Sequence, residues 1–238
     1  MLFDTTHLLY IIISLLLTVL LLIFANKYLK SAKYKKYFLR FFASATFILH
    51  ISLMWTTYLS GDTNAGYAYD NVLFPIYFCN LTMYALFITS LMNPNAKAFE
   101  IIATFTAWGG MFGSLISLFY PEYYLNTPTL ADWGVLKSML SHSTMLVGSV
   151  YLFVGKYVKI EYKNLLNYFY GLLACLVIGL FVNIFLGFFG KDVNAMYLKH
   201  PPLEELPFFN FLTIPLIMLL IIYLVVLLKN KFKIEKRG

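Results

Sequence analysis

The chain has 238 residues, of which 61% are hydrophobic and 12% are charged, and its formal net charge is +7. Soluble domains carry about 25% charged residues, so this composition excludes an ordinary soluble domain and indicates an integral membrane protein. Basic residues beside apolar segments are typical of membrane topology, so the net charge does not predict a nucleic-acid partner.

Seven apolar segments are each long enough to cross a hydrocarbon core, which takes about 20 helical residues. None alternates like a membrane β-strand, so we predict an all-α fold, a polytopic transmembrane helical bundle that forms a single domain over residues 1–238. The first segment lacks the basic start and cleavage site of a secretory signal, which favours a spanning helix. The predicted spans are about 7–26, 37–59, 72–92, 98–120, 135–155, 163–189 and 208–228.

The lysines and arginines lie mostly on one side of this bundle, with fifteen of the eighteen on that side. Because the positive side stays in the cytoplasm, we predict an outer N-terminus and a cytoplasmic C-terminus. The excess of lysine over arginine suggests an AT-rich bacterial genome, and hence the bacterial cell membrane. The fifteen lie in 27–40, at Lys97, in 156–163 and in 229–237, and the other three are Lys137, Lys191 and Lys199.

Polar side chains inside the spans are the informative ones, because each is costly in hydrocarbon unless it is paired or functional. Counting 1.5 Å per residue from the outer helix ends places five of them at about 9 to 12 Å depth. The inner half has no comparable group apart from serine, threonine and tyrosine. We therefore predict one polar pocket open toward the outer face, formed by His50, Cys79, Asn80, His142 and Asn183.

Two of the five also fit a packing role. Asn183 belongs to a stripe in the sixth span that repeats a small or polar residue every four positions from Gly171 to Gly187, and such stripes let helices approach closely. His50 fits packing by the same reasoning. Cys175 lies on the stripe as well, and we predict that it packs rather than reacts.

Cys79 and His142 are the thiol and imidazole that combine into a chemically sensible pair at this depth. A thiol in apolar surroundings is inert, so a reactive Cys79 needs a neighbouring base, and His142 is the residue type for that role. Ser138 shares the helical stripe of His142 and can fix its tautomer, while Asn80 or Asn183 can donate a hydrogen bond to an oxyanion. The predicted substrates are acyl lipids of the membrane, and neither a metal ligand set nor a cofactor motif is present. A pocket that only binds a polar solute explains the same residues.

Three segments carry a resemblance to a known family. They are "LFPIYFCNLTMY" around Cys79, "LSHSTMLVGSVYL" around His142, and "NAMYLKHPP" from Asn194, followed by Pro207. They resemble the Leu-Pro-Leu-x-Leu-Cys-x-Leu segment, the His-centred segment and the Asn-Tyr-x-x-Leu…Pro connection of the YwaF-like bacterial membrane proteins. These are relatives of the eukaryotic transmembrane-protein-164 acyltransferases. Ala195 stands where the family often has Tyr.

The resemblance implies a Cys-His acyl-transfer site, with Cys79 as nucleophile and His142 as base. It implies a lipid acyltransferase or lipid hydrolase, since the eukaryotic relatives are associated with moving acyl chains between phospholipids. The alternatives from the residues alone are a subunit that binds or transports a small solute without catalysis, and a scaffold for other membrane proteins.

Overall fold

The computed structural model describes residues 3–60, 65–202, 207–208 and 210–235. These residues form helices and irregular connections, with no strand among them, so the predicted all-α class is confirmed. The elements are α1 Thr5–Tyr28, α2 Ala32–Ser60, α3 Ala65–Leu73, α4 Phe78–Leu91, α5 Lys97–Phe119, α6 Glu122–Asn126, α7 Trp133–Val154, α8 Lys163–Phe188, a 3₁₀ turn Ala195–Tyr197, and α9 Thr213–Glu235.

The chain is a multi-pass helical membrane protein, because five helical segments of the described residues are long and apolar enough to cross a membrane. α4 is apolar but has only 14 residues. α7 has 22 residues, but it carries Lys137 and His142 together with several hydroxyl side chains. The seven predicted spans therefore stay a prediction for α4 and α7. The five segments are Thr5–Tyr28, Ala32–Leu59, Lys97–Asn126, Lys163–Phe188 and Thr213–Phe232.

The third predicted span, 72–92, is not one continuous helix. α3 ends at Leu73, residues 74–77 are irregular, and α4 begins at Phe78. Pro75 explains the break, because proline has no backbone N–H to donate and the residue before it disfavours helical backbone. The break places Cys79 in the first turn of a helix rather than in its interior.

The last predicted span, 208–228, also begins later than expected, at Thr213. The side-chain oxygen of Asn210 accepts hydrogen bonds from the backbone amides of Leu212 and Thr213. These amides open the helix and have no partner within it, so the Asn210 side chain fixes where α9 starts.

Four helices form the centre of the bundle, because both α2 and α5 pack against α4 and α7. α4 and α7 meet across the middle of this group, α1 packs on α7, and α8 joins α5 to α9. Small residues bring these helices close together. A Cβ added to Gly148 on α7 would lie 2.9 Å from a Leu86 methyl carbon on α4, and one added to Gly110 on α5 would overlap the Ser149 hydroxyl on α7.

One end of the bundle, here called the α6 end, holds α6 and the N-termini of α1, α4 and α7. The His7 ring nitrogen Nε2 bonds the Leu118 carbonyl at 2.8 Å, which joins the start of α1 to the end of α5. The Tyr124 hydroxyl of α6 donates to the Asp4 carboxylate at 2.8 Å. The Lys-rich connections that follow α1 and α7 lie at the opposite end of the bundle.

Candidate functional site

The register between α4 and α7 places Cys79 and His142 at one level. The Thr82 hydroxyl donates to the Met145 sulfur at 3.4 Å, and Leu86 packs on Gly148 one turn further along both helices. Residue numbers rise together in these contacts, so the two helices run in the same direction. Thr82 and Met145 are 63 positions apart, as Cys79 and His142 are, so the thiol and the imidazole lie one turn before that contact.

Cys79 lies in the first turn of α4, partly exposed, and is surrounded by hydrogen-bonding groups. Its thiol donates to the Asn80 side-chain oxygen over 3.6 Å. The hydroxyl of Ser117 on α5 lies close to the sulfur, whereas the backbone amide of Asn80 donates to the Tyr77 carbonyl at 3.0 Å. The sulfur lies at the positive end of the helix dipole.

Gly113 of α5 lies beside Cys79. A Cβ added to Gly113 would lie 3.7 Å from both the Cα and the Cβ of Cys79, an ordinary van der Waals distance, so α4 and α5 are in close contact here. Ser117 follows Gly113 by one turn on the same face of α5. This close approach brings the Ser117 hydroxyl to the thiol.

His142 is held in the tautomer that a general base requires. Its Nδ1 lies 2.7 Å from the Ser138 carbonyl oxygen. A carbonyl only accepts, so Nδ1 carries the proton and Nε2 presents a lone pair. Nε2 is buried and has no hydrogen-bond partner among the described residues. The sequence predicts that Ser138 fixes the ring, and the structure uses the backbone carbonyl of this residue for that purpose.

Cys79 and His142 share a level, but no hydrogen bond joins the sulfur to Nε2 in this structure. Catalytic hydrogen bonds are often long or absent in ligand-free proteins and shorten when substrate binds. The structure therefore has a thiol and an imidazole lone pair on facing helices. Direct proton transfer between them would require the sulfur and Nε2 to move closer together.

His50 of α2 belongs to the same cluster. Its ring meets the Tyr84 ring edge to face at 5.4 Å, and its Nε2 is buried without a hydrogen-bond partner among the described residues. It is close enough to His142 and Lys137 for a charge on either to act on it. Its unpartnered nitrogen is an exception to the rule that buried polar groups are hydrogen-bonded.

Lys137 belongs to the same polar cluster, although its place in the sequence indicated only topology. It lies near the start of α7, only 4% exposed, with its ammonium 5.1 Å from the centre of the Tyr123 ring. Its charge acts on Cys79, His50 and His142. The sequence signal was its position inside the predicted span 135–155, where a lysine is costly.

Two amides connect the thiol to the α6 end. The Asn80 side chain donates to the Asn71 side-chain oxygen at 2.5 Å and to its backbone carbonyl at 3.1 Å. Asn71, buried in α3, in turn donates to the Tyr123 hydroxyl at 3.5 Å. A chain of contacts thus runs from Cys79 through Asn80, Asn71 and Tyr123 to Lys137. Asn71 was missed because α3 lies outside every predicted span except for its last two residues.

Asn183 lies outside this cluster in the part of the chain that the structure describes. Its side-chain oxygen accepts from the Ala195 amide at 2.8 Å, and its NH₂ donates to the Ala195 carbonyl at 3.3 Å. The amide of the next residue, Met196, donates to the Ile76 carbonyl at 2.7 Å, which fixes the 3₁₀ turn beside the start of α4. The oxyanion role stays a prediction for Asn183, whose amide here holds this connection.

The polar cluster is largely closed in this structure. His50, Asn80, Lys137 and His142 are each less than 9% exposed. Cavities of about 230 and 100 Å³ lie at the opposite end of the bundle, and neither borders the cluster. The described residues contain no group of three or more histidine, cysteine or acidic side chains that could hold a metal ion.

The sequence model of the TMEM164 family matches residues 2–229, which is nearly the whole chain. No curated protein and no solved structure matches the chain.

Proposed function

The chain belongs to the TMEM164 family, and on that premise we propose that it is an integral membrane lipid acyltransferase or lipid hydrolase that works through Cys79 and His142. One observation carries the proposal. The Ser138 carbonyl fixes the His142 ring, so that the buried Nε2 lone pair has no partner among the described residues. This lone pair lies at the level of Cys79, which is partly exposed, whereas Cys175 is buried.

The proposed topology places the site in the outer leaflet. In this topology α4 and α7 span the membrane together with the five longer segments, with the N-terminus outside, the C-terminus in the cytoplasm and the α6 end facing outward. The Lys-rich connections 27–40 and 156–163 at the opposite end support this orientation. Lys236 and Arg237, which also contributed to the predicted orientation, lie outside the described residues. We also propose a bacterial cell membrane as its location, which the excess of lysine over arginine supports.

The first half of the reaction forms a thioester. His142 Nε2 accepts the thiol proton, and the Cys79 thiolate attacks the carbonyl carbon of a lipid ester. The resulting oxyanion takes a hydrogen bond from a side-chain amide, and Asn80, next to Cys79, is the nearer of the two predicted donors. The Asn80 NH₂ would first have to release Asn71, as that of Asn183 would have to release Ala195. The carbon–oxygen ester bond then breaks, and the leaving alkoxide takes the proton from His142.

The second half returns the thiol. His142, again neutral, accepts a proton from an incoming hydroxyl, which attacks the thioester carbonyl, and the carbon–sulfur bond breaks. The thiolate regains its proton from His142. A second lipid as the source of the hydroxyl gives acyl transfer, and water gives hydrolysis. We propose His50 of α2, which is close enough to His142 for a charge on that ring to act on it, as a substrate contact.

Trapping the thioester tests this function directly. Purified protein in vesicles that contain a phospholipid with a fluorescent acyl chain is denatured in acid, and label released from the protein by hydroxylamine is measured. We expect label on the native chain, none on Cys79→Ala, and about 10²- to 10⁴-fold slower labelling for His142→Ala. Cys175→Ala is the matched control, since Cys175 is buried in an apolar cluster and should label like the native chain when replaced. Label that persists in Cys79→Ala overturns the proposal.

A second candidate function is a binding or transport subunit without catalytic activity. The missing hydrogen bond between Cys79 and His142 favours it, because a binding site needs no contact between these two residues. It predicts that no thioester forms on any variant and that Cys79→Ala binds a polar solute as tightly as the native chain does. The trapping experiment therefore separates the two functions.

A further inference from the structure

Lys137 is a buried cation without a counter-ion. It is 4% exposed, and its ammonium makes no ion pair or hydrogen bond with any residue that the structure describes. The lysines that do form ion pairs, Lys163, Lys191 and Lys199, have side chains that are 42 to 59% exposed. A charge taken out of water without a partner is costly, so such a group persists where it meets a ligand.

The surroundings of Lys137 compensate only part of that cost. The Tyr123 ring face attracts the ammonium at 5.1 Å. The other groups on which its charge acts are a thiol and two imidazoles, and both imidazoles present an unpartnered buried nitrogen. None of these supplies the negative charge that a buried ammonium requires. An anion would supply that charge.

We propose that Lys137 binds the phosphate group of a membrane phospholipid and so holds that lipid with an ester beside Cys79. The inference deepens the function proposed above and rests on it for the identity of the neighbouring ester. The ligand chemistry, an anion with oxygen acceptors, follows from Lys137 alone.

The order of groups along α7 matches the order of groups in a phospholipid. Lys137 precedes His142 by five residues, which is about 7.5 Å along the helix axis toward the α6 end. A phosphate at Lys137 therefore lies nearer the membrane surface than Cys79 and His142 do. In a glycerophospholipid only the glycerol carbons separate the phosphate from the ester carbonyls. The acyl chains then continue into the hydrocarbon core, where the exposed apolar faces of the bundle lie.

The test measures binding without turnover. The full chain carrying Cys79→Ala is titrated in neutral detergent with short-chain phosphatidylglycerol and with the uncharged diacylglycerol of the same chain length, and the ratio of the two affinities is the readout. Charge-assisted hydrogen bonds predict a preference for the phospholipid of about 10- to 100-fold. Adding Lys137→Gln should abolish that preference, and Lys137→Arg should retain most of it.

Lys199→Gln is the matched control, because this substitution removes the same charge from the same end of the bundle. Lys199 differs from Lys137 in being exposed and already paired with Asp192. The control substitution should leave the preference unchanged. A preference that survives Lys137→Gln overturns the inference. If inorganic phosphate displaces bound phosphatidylglycerol as effectively as unlabelled phosphatidylglycerol does, the ligand of Lys137 is a free anion. That result overturns the proposal that the phosphate belongs to a lipid. Because turnover is absent here, a negative result leaves the thioester experiment unaffected, and failure of the thioester experiment leaves this result standing.

Discussion

Replacing Lys137 by methionine should stabilise the protein in the absence of lipid. The two side chains are similar in volume, so packing is retained while the charge of a residue that is 4% exposed and has no counter-ion among the described residues is removed. The residual desolvation cost of such a charge is several kcal/mol, taken here as about 3. The contact with the Tyr123 ring, worth about 1 kcal/mol, is lost. The net gain is about 2 kcal/mol, which raises Tm by about 4 to 8 °C for a chain of this size.

The assay is thermal unfolding of purified protein in neutral detergent, followed by tryptophan fluorescence. Lys199→Met provides the control, because its exposed ion pair contributes little to stability and its Tm should stay that of the native chain. A fall in Tm for Lys137→Met would refute the reasoning, since it would show that the lysine is compensated within the fold and is part of its structure. Added phosphatidylglycerol should raise the Tm of the native chain more than that of the variant.

Two further predictions concern the frame around the site. Gly110→Ala should lower Tm, because the new Cβ would overlap a serine hydroxyl of α7 and overpacking costs about 1 to 3 kcal/mol; Gly187→Ala, where nothing lies within 4 Å, should leave Tm unchanged or raise it. The amide of His7 and the hydroxyl of Tyr124 lower the pKa of the Asp4 carboxyl from its ordinary value of 3.8. The stability that Asp4 contributes is therefore present above about pH 4 and lost as pH falls through the lowered pKa, and Asp4→Asn should flatten this acid limb of Tm against pH.

Much of the fold was predictable because long apolar segments in a membrane protein have few alternatives to helix. Two observed helices, Lys97–Phe119 and Lys163–Phe188, end within one residue of the predicted spans 98–120 and 163–189. The third span was predicted as continuous because hydropathy does not register the effect of Pro75 on the backbone. The break places Cys79 in the first turn of α4, at the positive end of the helix dipole.

The candidate site was predictable in depth but not in rotation. Counting along each helix gives the level of a side chain, which brought His50, Cys79, Asn80 and His142 to one region. Which way a side chain faces depends on the neighbouring helices, and this information is absent from a single sequence. Asn183 satisfies the depth count, yet its amide holds the backbone of a connection in the described structure.

The site differs from its frame in the kind of polar group that lacks a partner. Many hydroxyls along the central helices donate to backbone carbonyls one turn earlier, as Thr46 and Ser114 do, so they cost little in hydrocarbon. Buried polar atoms without a partner among the described residues also occur away from the site, on Thr104, Trp108, Ser149, Tyr151 and Asn167. The site is distinguished by two imidazoles with unpartnered nitrogens, His50 and His142, close enough to Lys137 for its charge to act on both. Groups that lower stability in this way persist where function requires them. If the cluster only packed the helices, apolar substitutions at all three positions together should raise Tm and leave lipid binding and thioester formation unchanged. We expect the rise in Tm and the loss of both activities.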